Sequence, residues 1–218
     1  MRLLLASMSV CLVAAVSLFA QEPNTESKGL EATEMTGMPP RATPGDYPSQ
    51  ARAGDITIAA EFMGHSVPKP EGPLSTEDYV VVEAGFFGPA GGRITLSTGD
   101  FSLRINGKKP LSSQHYGLVL SSLKDPQWSP PVPAEPKSKS GLSTGAGGDS
   151  TPAIVHVPFE LRRAMAMYVQ KVSLLEGDRT LPQAGLIFFL YRGKTQNIHS
   201  LELIYSGSAG KASLKLQP

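Results

Sequence analysis

The sequence predicts a mainly β protein, an antiparallel β-sandwich carrying one inserted amphipathic helix. Three observations lead there. The chain holds 22 Gly and 19 Pro in 218 residues, more than a helical bundle tolerates, and its 40% hydrophobic content is too high for a disordered chain. Short runs rich in β-branched and aromatic residues recur between turn signals, alternating apolar and polar positions. One stretch around Met165 instead shows apolar residues spaced by three and four, the period of a helix.

The amino terminus has a different character. Arg2 is followed by an apolar run over residues 3–19 that ends at Ala20 and turns polar at Gln21, Glu22 and Pro23, the form of a signal peptide over residues 1–20. Ser7, Ser9 and Ser17 interrupt the run, and it falls short of the ~20 apolar residues of a membrane span. Cys11, the only cysteine, lies inside it, so a chain starting at Gln21 has no disulfide to hold it. Met8-Ser9-Val10 lacks the approach that precedes a lipid-modified cysteine. Residues 21–53, rich in Glu, Thr, Pro and Gly without periodicity, predict a flexible leader.

The domain itself is expected over residues 54–218. Residues 55–62 give a first strand, stopped by Gly64, Pro68 and Pro70. Residues 78–87 carry Val80, Val81, Val82, Phe86 and Phe87, a density that suits a central buried strand. After a turn at Gly88-Pro89-Ala90-Gly91-Gly92 come short strands at 93–97 and 101–105, then a tight turn at Asn106-Gly107. Residues 125–152 hold Pro126, Pro130, Pro131, Pro133 and Pro136 with a Gly/Ser run, predicting a long exposed loop. The helix is expected over 159–175, with Leu161, Met165, Val169, Val172 and Leu175 on one face and Arg162, Arg163 and Lys171 on the other. Pro158 suits its first turn and Gly177 its stop. Strands at 185–191, 198–205 and 211–216 close the chain.

The run Tyr79-Val80-Val81-Val82-Glu83 through Phe86, Pro89 and Gly92, followed by Leu96-Ser97, Asp100-Phe101-Ser102-Leu103 and Asn106-Gly107-Lys108, resembles the first half of the immunoglobulin-like domains of unknown function in bacterial exported proteins and lipoproteins. Gly185-Leu186-Ile187-Phe188-Phe189 with Leu201-Glu202-Leu203-Ile204-Tyr205 resembles their closing half. The resemblance covers most of residues 56–216 and implies an immunoglobulin-like antiparallel β-sandwich outside the cytoplasm. Those domains carry no agreed catalytic residues, so it implies no site.

Twenty Lys and Arg against 19 Asp and Glu give a net charge of +1, which offers no basic field for nucleic acid. His65, His115, His156 and His199 are scattered without metal-ligand spacing. Met63 and His65, taken with Met165 and Met167, are the candidate metal ligands, because thioether and imidazole suit copper(I). Against them stands a simple packing role, with Met165 in the helix's core face and Met63 at a strand end. Ser121 and Lys124 have the Ser-x-x-Lys spacing of penicillin-recognising enzymes, but Lys194-Thr195 is followed by Gln196 and no Ser-Asp-Asn occurs. Gly193-Lys194-Thr195 matches the end of a phosphate-binding loop, yet Phe188 stands where its first glycine is needed. The expectation is an exported, non-enzymatic binding or structural module of the bacterial cell envelope, secreted or periplasmic. It would use no cofactor, have no membrane span after signal cleavage and meet another envelope protein. The alternative is a periplasmic carrier of copper(I) or another metal through Met63, His65, Met165 and Met167.

Overall fold

The computed structural model describes residues 37–129 and 157–218. The expected signal peptide, residues 21–36 of the leader and residues 130–152 of the Pro-rich loop lie outside the described residues. In chain order the elements are β1 (Ser49–Ala53), β2 (Ile56–Gly64), β3 (Ser66–Val67), β4 (Leu74–Thr76), β5 (Tyr79–Phe87), β6 (Arg93–Leu96), β7 (Phe101–Ile105) and β8 (Leu111–Gln114). Then follow α1 (Tyr116–Val119), β9 (Leu123–Lys124), α2 (Phe159–Val172), β10 (Gly177–Thr180), β11 (Gln183–Leu190), β12 (Leu201–Gly207) and β13 (Gly210–Leu216). The chain is mainly β and its sheets are antiparallel, as expected.

Eight strands form one sheet in the order β1-β2-β5-β11-β8-β7-β12-β13. Twist accumulates by about 20–25° from strand to strand, so a sheet this wide curls on itself. Its edge strands β1 and β13 come to lie side by side, and Ser49 Oγ donates to the Lys215 carbonyl at 2.6 Å across the seam. The result is a nearly closed, barrel-like sheet where two stacked sheets were expected. Bringing the edges together shields backbone groups that an open sheet would expose. Two small sheets, β10-β6 and β3-β4-β9, complete the strand pairing.

One core fills the barrel. From β12, Leu201, Leu203 and Tyr205 point inward, while Glu202 and Ile204 stay partly exposed, the alternation of a strand with one wet face. β5 and β11 do not alternate, being buried at every position from Val80 to Phe86 and from Ala184 to Phe189. Val80, Val82, Phe86, Ile187 and Phe189 join the interior core, and Val81, Leu186 and Phe188 face outward into a second cluster. The helix α2 covers them with Met165, Val169 and Val172. Fully burying a side chain such as Val169 contributes roughly 1.5 kcal/mol or more, so the helix is held by its apolar stripe rather than by propensity.

The leader expected to be flexible through residue 53 is folded over its described part. Met38 bridges to Ala184, Tyr47 is buried, and Ser49–Ala53 is β1. Gly85 makes this possible, because a Cβ there would lie 2.7 Å from Tyr47 Oη. Next to it Glu83, only 3% exposed, sits on the outward face of β5. Arg41 meets it with both arms of its guanidinium, Nε to Oε1 at 3.0 Å and Nη2 to Oε2 at 2.9 Å, and Nη2 also pairs with Glu61. The same guanidinium lies 4.3 Å above the Tyr47 ring.

The helix stops at Val172 rather than residue 175. The Ser173 hydroxyl and N–H both return to the Val169 carbonyl, and the Leu174 N–H goes to the Leu186 carbonyl at 3.0 Å instead of back into the helix. Ser173 pairs in parallel with Leu186. Leu175 therefore continues the apolar spacing in extended chain, and Gly177, expected as the stop, opens β10 at a φ of 94°. The turn expected at Asn106-Gly107 is present with φ of 52° and 69°. Asn106 also accepts the N–H groups of His199 and Ser200, tying the β7–β8 turn to the start of β12.

Candidate functional site: a cleft at the end of the long helix

The local sequence after α2 shapes a recess with fixed polar groups at its rim. Gly185 lets the extended chain at Ser173 and Leu174 press onto β11, since a Cβ there would lie 2.6 Å from the Leu174 nitrogen. That path carries Glu176 and Arg179 over to His115 and Thr98, which come from far earlier in the chain. The cleft between them has a volume of about 140 Å³, with Leu174, Leu186 and Phe188 as its apolar floor.

Each polar group on its rim is held in place. Glu176 Oε1 accepts from the Thr98 N–H at 2.7 Å and from the Thr98 hydroxyl. The Thr98 side chain and then its N–H hold the Glu176 carboxyl below the ordinary carboxylate range, and His115 adds to this. Arg179 donates Nε and Nη2 to the Glu176 carbonyl at 3.0 and 2.8 Å. His115 caps α1, its Nδ1 accepting from the Gly117 N–H at 3.1 Å, which places the proton of the neutral ring on Nε2. Tyr116 packs on the imidazole with ring centroids 4.2 Å apart.

Of the candidate metal ligands, Met63 and Met165 pack into one cluster beneath α2. Both ring nitrogens of His65 face carbonyl oxygens, Nδ1 to Tyr79 at 2.8 Å and Nε2 to Gly193 at 2.9 Å, so the ring is occupied with joining β5 to the turn after β11. Met165 is 7% exposed in the cluster beneath α2, where Met63 also packs. Met167, two residues further along the helix, is 61% exposed on the far side. Among the described residues no three of His, Cys, Asp or Glu are grouped to hold a metal. Lys124 pairs with Glu77, and the Ser121 hydroxyl points to the Leu118 carbonyl at 3.5 Å, so this serine and lysine do not form a nucleophile and base. The Gly193 carbonyl serves His65, and Lys194 precedes a single 3-10 turn, Thr195–Asn197. His156 lies outside the described residues.

Two other surface features are notable. The helices α1 and α2 present Leu118, Phe159 and Met167 at 55%, 65% and 61% exposure. On the opposite wall, formed by β7, β12 and β13, a depression of about 390 Å³ mixes Leu201 and Leu216 with Arg104, Glu202 and Lys215, and Arg104 is already paired with Glu202, which also accepts from Ser213. The sequence reading missed the cleft because its rim unites residues 98, 115, 176 and 179. The local signals present were the charged turn Glu176-Gly177-Asp178-Arg179 directly after a helix and a histidine two residues before Gly117.

No family model, no curated protein and no solved structure matches the chain. No helix among the described residues is long and apolar enough to cross a membrane.

Proposed function

We propose that the chain is an exported, non-enzymatic binding module of the bacterial cell envelope that meets its partner through the side of the barrel covered by α1 and α2. One observation carries this. Leu118, Phe159 and Met167 stand exposed on those two helices, whereas the outer face of β7, β12 and β13 offers Ser102, Arg104, Glu202, Ser213 and Lys215 around a half-buried Ile204. Large apolar side chains exposed together on one side mark a surface that another molecule covers. Arg163 lies between Phe159 and Met167 on the same face of α2, with Arg162 and Lys171 nearby, and these cations suit a partner with acidic groups.

Export rests on the apolar run at residues 3–19 with its small-residue boundary at Ala20, and on the resemblance to immunoglobulin-like domains of exported proteins. That resemblance also suggests a flattened barrel whose walls stack in the manner of a sandwich.

The test is capture from an envelope extract by the wild-type chain and by a Phe159→Ser, Met167→Ser double variant. A partner retained by the first and lost by the second, with unchanged melting temperature, is the expected outcome. Equal capture by both would place the binding side elsewhere. Amino-terminal sequencing of the product from the native host is expected to begin at Gln21. A cytosolic product beginning at Met1 would overturn export.

A further inference from the structure

We infer that the cleft between α1, β10 and the end of α2 binds a small α-amino-acid unit, its carboxylate on Arg179 and His115 and its N–H on Glu176. This deepens the binding role proposed above and assumes that the cleft belongs to the binding side.

Arg179 spends Nε and Nη2 on the Glu176 carbonyl, which fixes the plane of the guanidinium and leaves Nη1 uncommitted among the described residues. His115 Nδ1 is engaged by Gly117, so Nε2–H is the donor it can offer a ligand. Glu176 has Oε1 held by Thr98 and the Ser97 side chain also at its carboxylate, whose two oxygens still have lone pairs for an incoming donor. The rim therefore has two donors suited to a carboxylate and one acceptor suited to an ammonium or amide N–H.

Charge selects among ligands. A plain anion would meet Glu176 and a plain cation would meet Arg179, whereas a ligand carrying both poles satisfies both at once. Size selects further. A cavity of ~150 Å³ accommodates a ligand of about six heavy atoms, and this cleft is about 140 Å³. A floor of Leu174, Leu186 and Phe188 favours a short apolar side chain over a polar one. Alanine, free or as the last residue of a peptide, has this chemistry.

Amide-resolved NMR titration of the purified protein distinguishes the sources. The probes are alanine, alanyl-alanine, alanyl-alanine amide, acetate and methylammonium. Alanine, alanyl-alanine or both are expected to shift the amides of Thr98, Gly117 and Arg179, with acetate, methylammonium and the blocked dipeptide at least about tenfold weaker. Stronger binding of alanine assigns a free amino acid, and stronger binding of alanyl-alanine assigns a peptide terminus. Arg179→Gln is expected to weaken binding about tenfold, with Arg179→Lys intermediate. Equal shifts from the blocked dipeptide, or none from any zwitterion at millimolar concentration, would overturn the assignment. Because these arms use the wild-type protein without an extract, such a result leaves capture through Phe159 and Met167 as a separate outcome.

Discussion

Arg41 reaches across the barrel wall to a carboxylate that has almost no contact with water. Glu83 is held there by two charge-assisted hydrogen bonds, and Glu61 shares the same guanidinium. Removing one partner of a buried pair leaves the other charged and unsolvated, so Arg41→Ala is expected to cost about 3 kcal/mol. Urea unfolding measures this, and Arg41→Lys should recover only part, since an ammonium cannot match both carboxylate oxygens. Tyr47, beside this pair, has its hydroxyl pushed up to about 12, chiefly by burial and further by the Glu83 charge. A value raised on folding stabilises the native state below the ordinary tyrosine value near 10 and loses that contribution as pH rises through 12. Because Arg41→Ala starts from a less stable fold, its alkaline unfolding, followed by tyrosinate absorbance, should begin at lower pH than that of the wild type. Glu176 has the opposite sign. Its lowered value gives stability that is present above the ordinary carboxylate range and lost as pH falls through the folded value. Thr98→Ala removes the largest cause, so the Glu176 carboxyl should titrate at higher pH, measurable by carbon-detected NMR of that side chain.

At the scale of elements, two glycines decide which layers can reach the barrel. Gly85 admits the Tyr47 ring and Gly185 admits the backbone of Ser173 and Leu174. Gly185→Ala would set a Cβ against main chain that cannot step aside, so a destabilisation of about 2–3 kcal/mol is expected, together with displacement of Glu176 and Arg179 from the cleft. Thermal melting reads the first effect and loss of the Thr98–Glu176 amide signature reads the second. The strands β2, β5, β7, β11, β12 and β13 were legible in the sequence because each pairs a period of two or a dense apolar run with a turn residue at its end. β1, β8 and β10 were not. Gly-Asp-Arg-Thr in β10 has no strand signal of its own and is held extended by its ladder to β6 and the Arg93–Asp178 pair. The helix end was misplaced because Leu174 and Leu175 keep the apolar spacing, while the event that stops the helix is a backbone bond to Leu186, distant in sequence. The cleft was illegible for the same reason, its rim being assembled by topology rather than by a local motif.

Across the whole molecule, the barrel has two unlike sides. On one, β7, β12 and β13 alternate and meet water with charged pairs such as Arg104–Glu202. On the other, β5 and β11 are buried on both faces from Val80 to Phe86 and from Ala184 to Phe189, the helices that cover them expose Leu118, Phe159 and Met167, and Leu190 stands exposed at the end of β11. β11 pairs along its length with β5 but with β8 only at Phe188 and Phe189, and the chain after α2 takes up the Leu186 carbonyl on the edge left free. The helical layer covers the outward apolar side chains Val81, Leu186 and Phe188, and the cleft lies at its edge. Site-specific photocrosslinking in the envelope of the native host tests this division most directly, with the crosslinking residue placed at Phe159 or at Ser102. The account predicts a discrete adduct from Phe159 and none from Ser102, and adducts from Ser102 with none from Phe159 would contradict it.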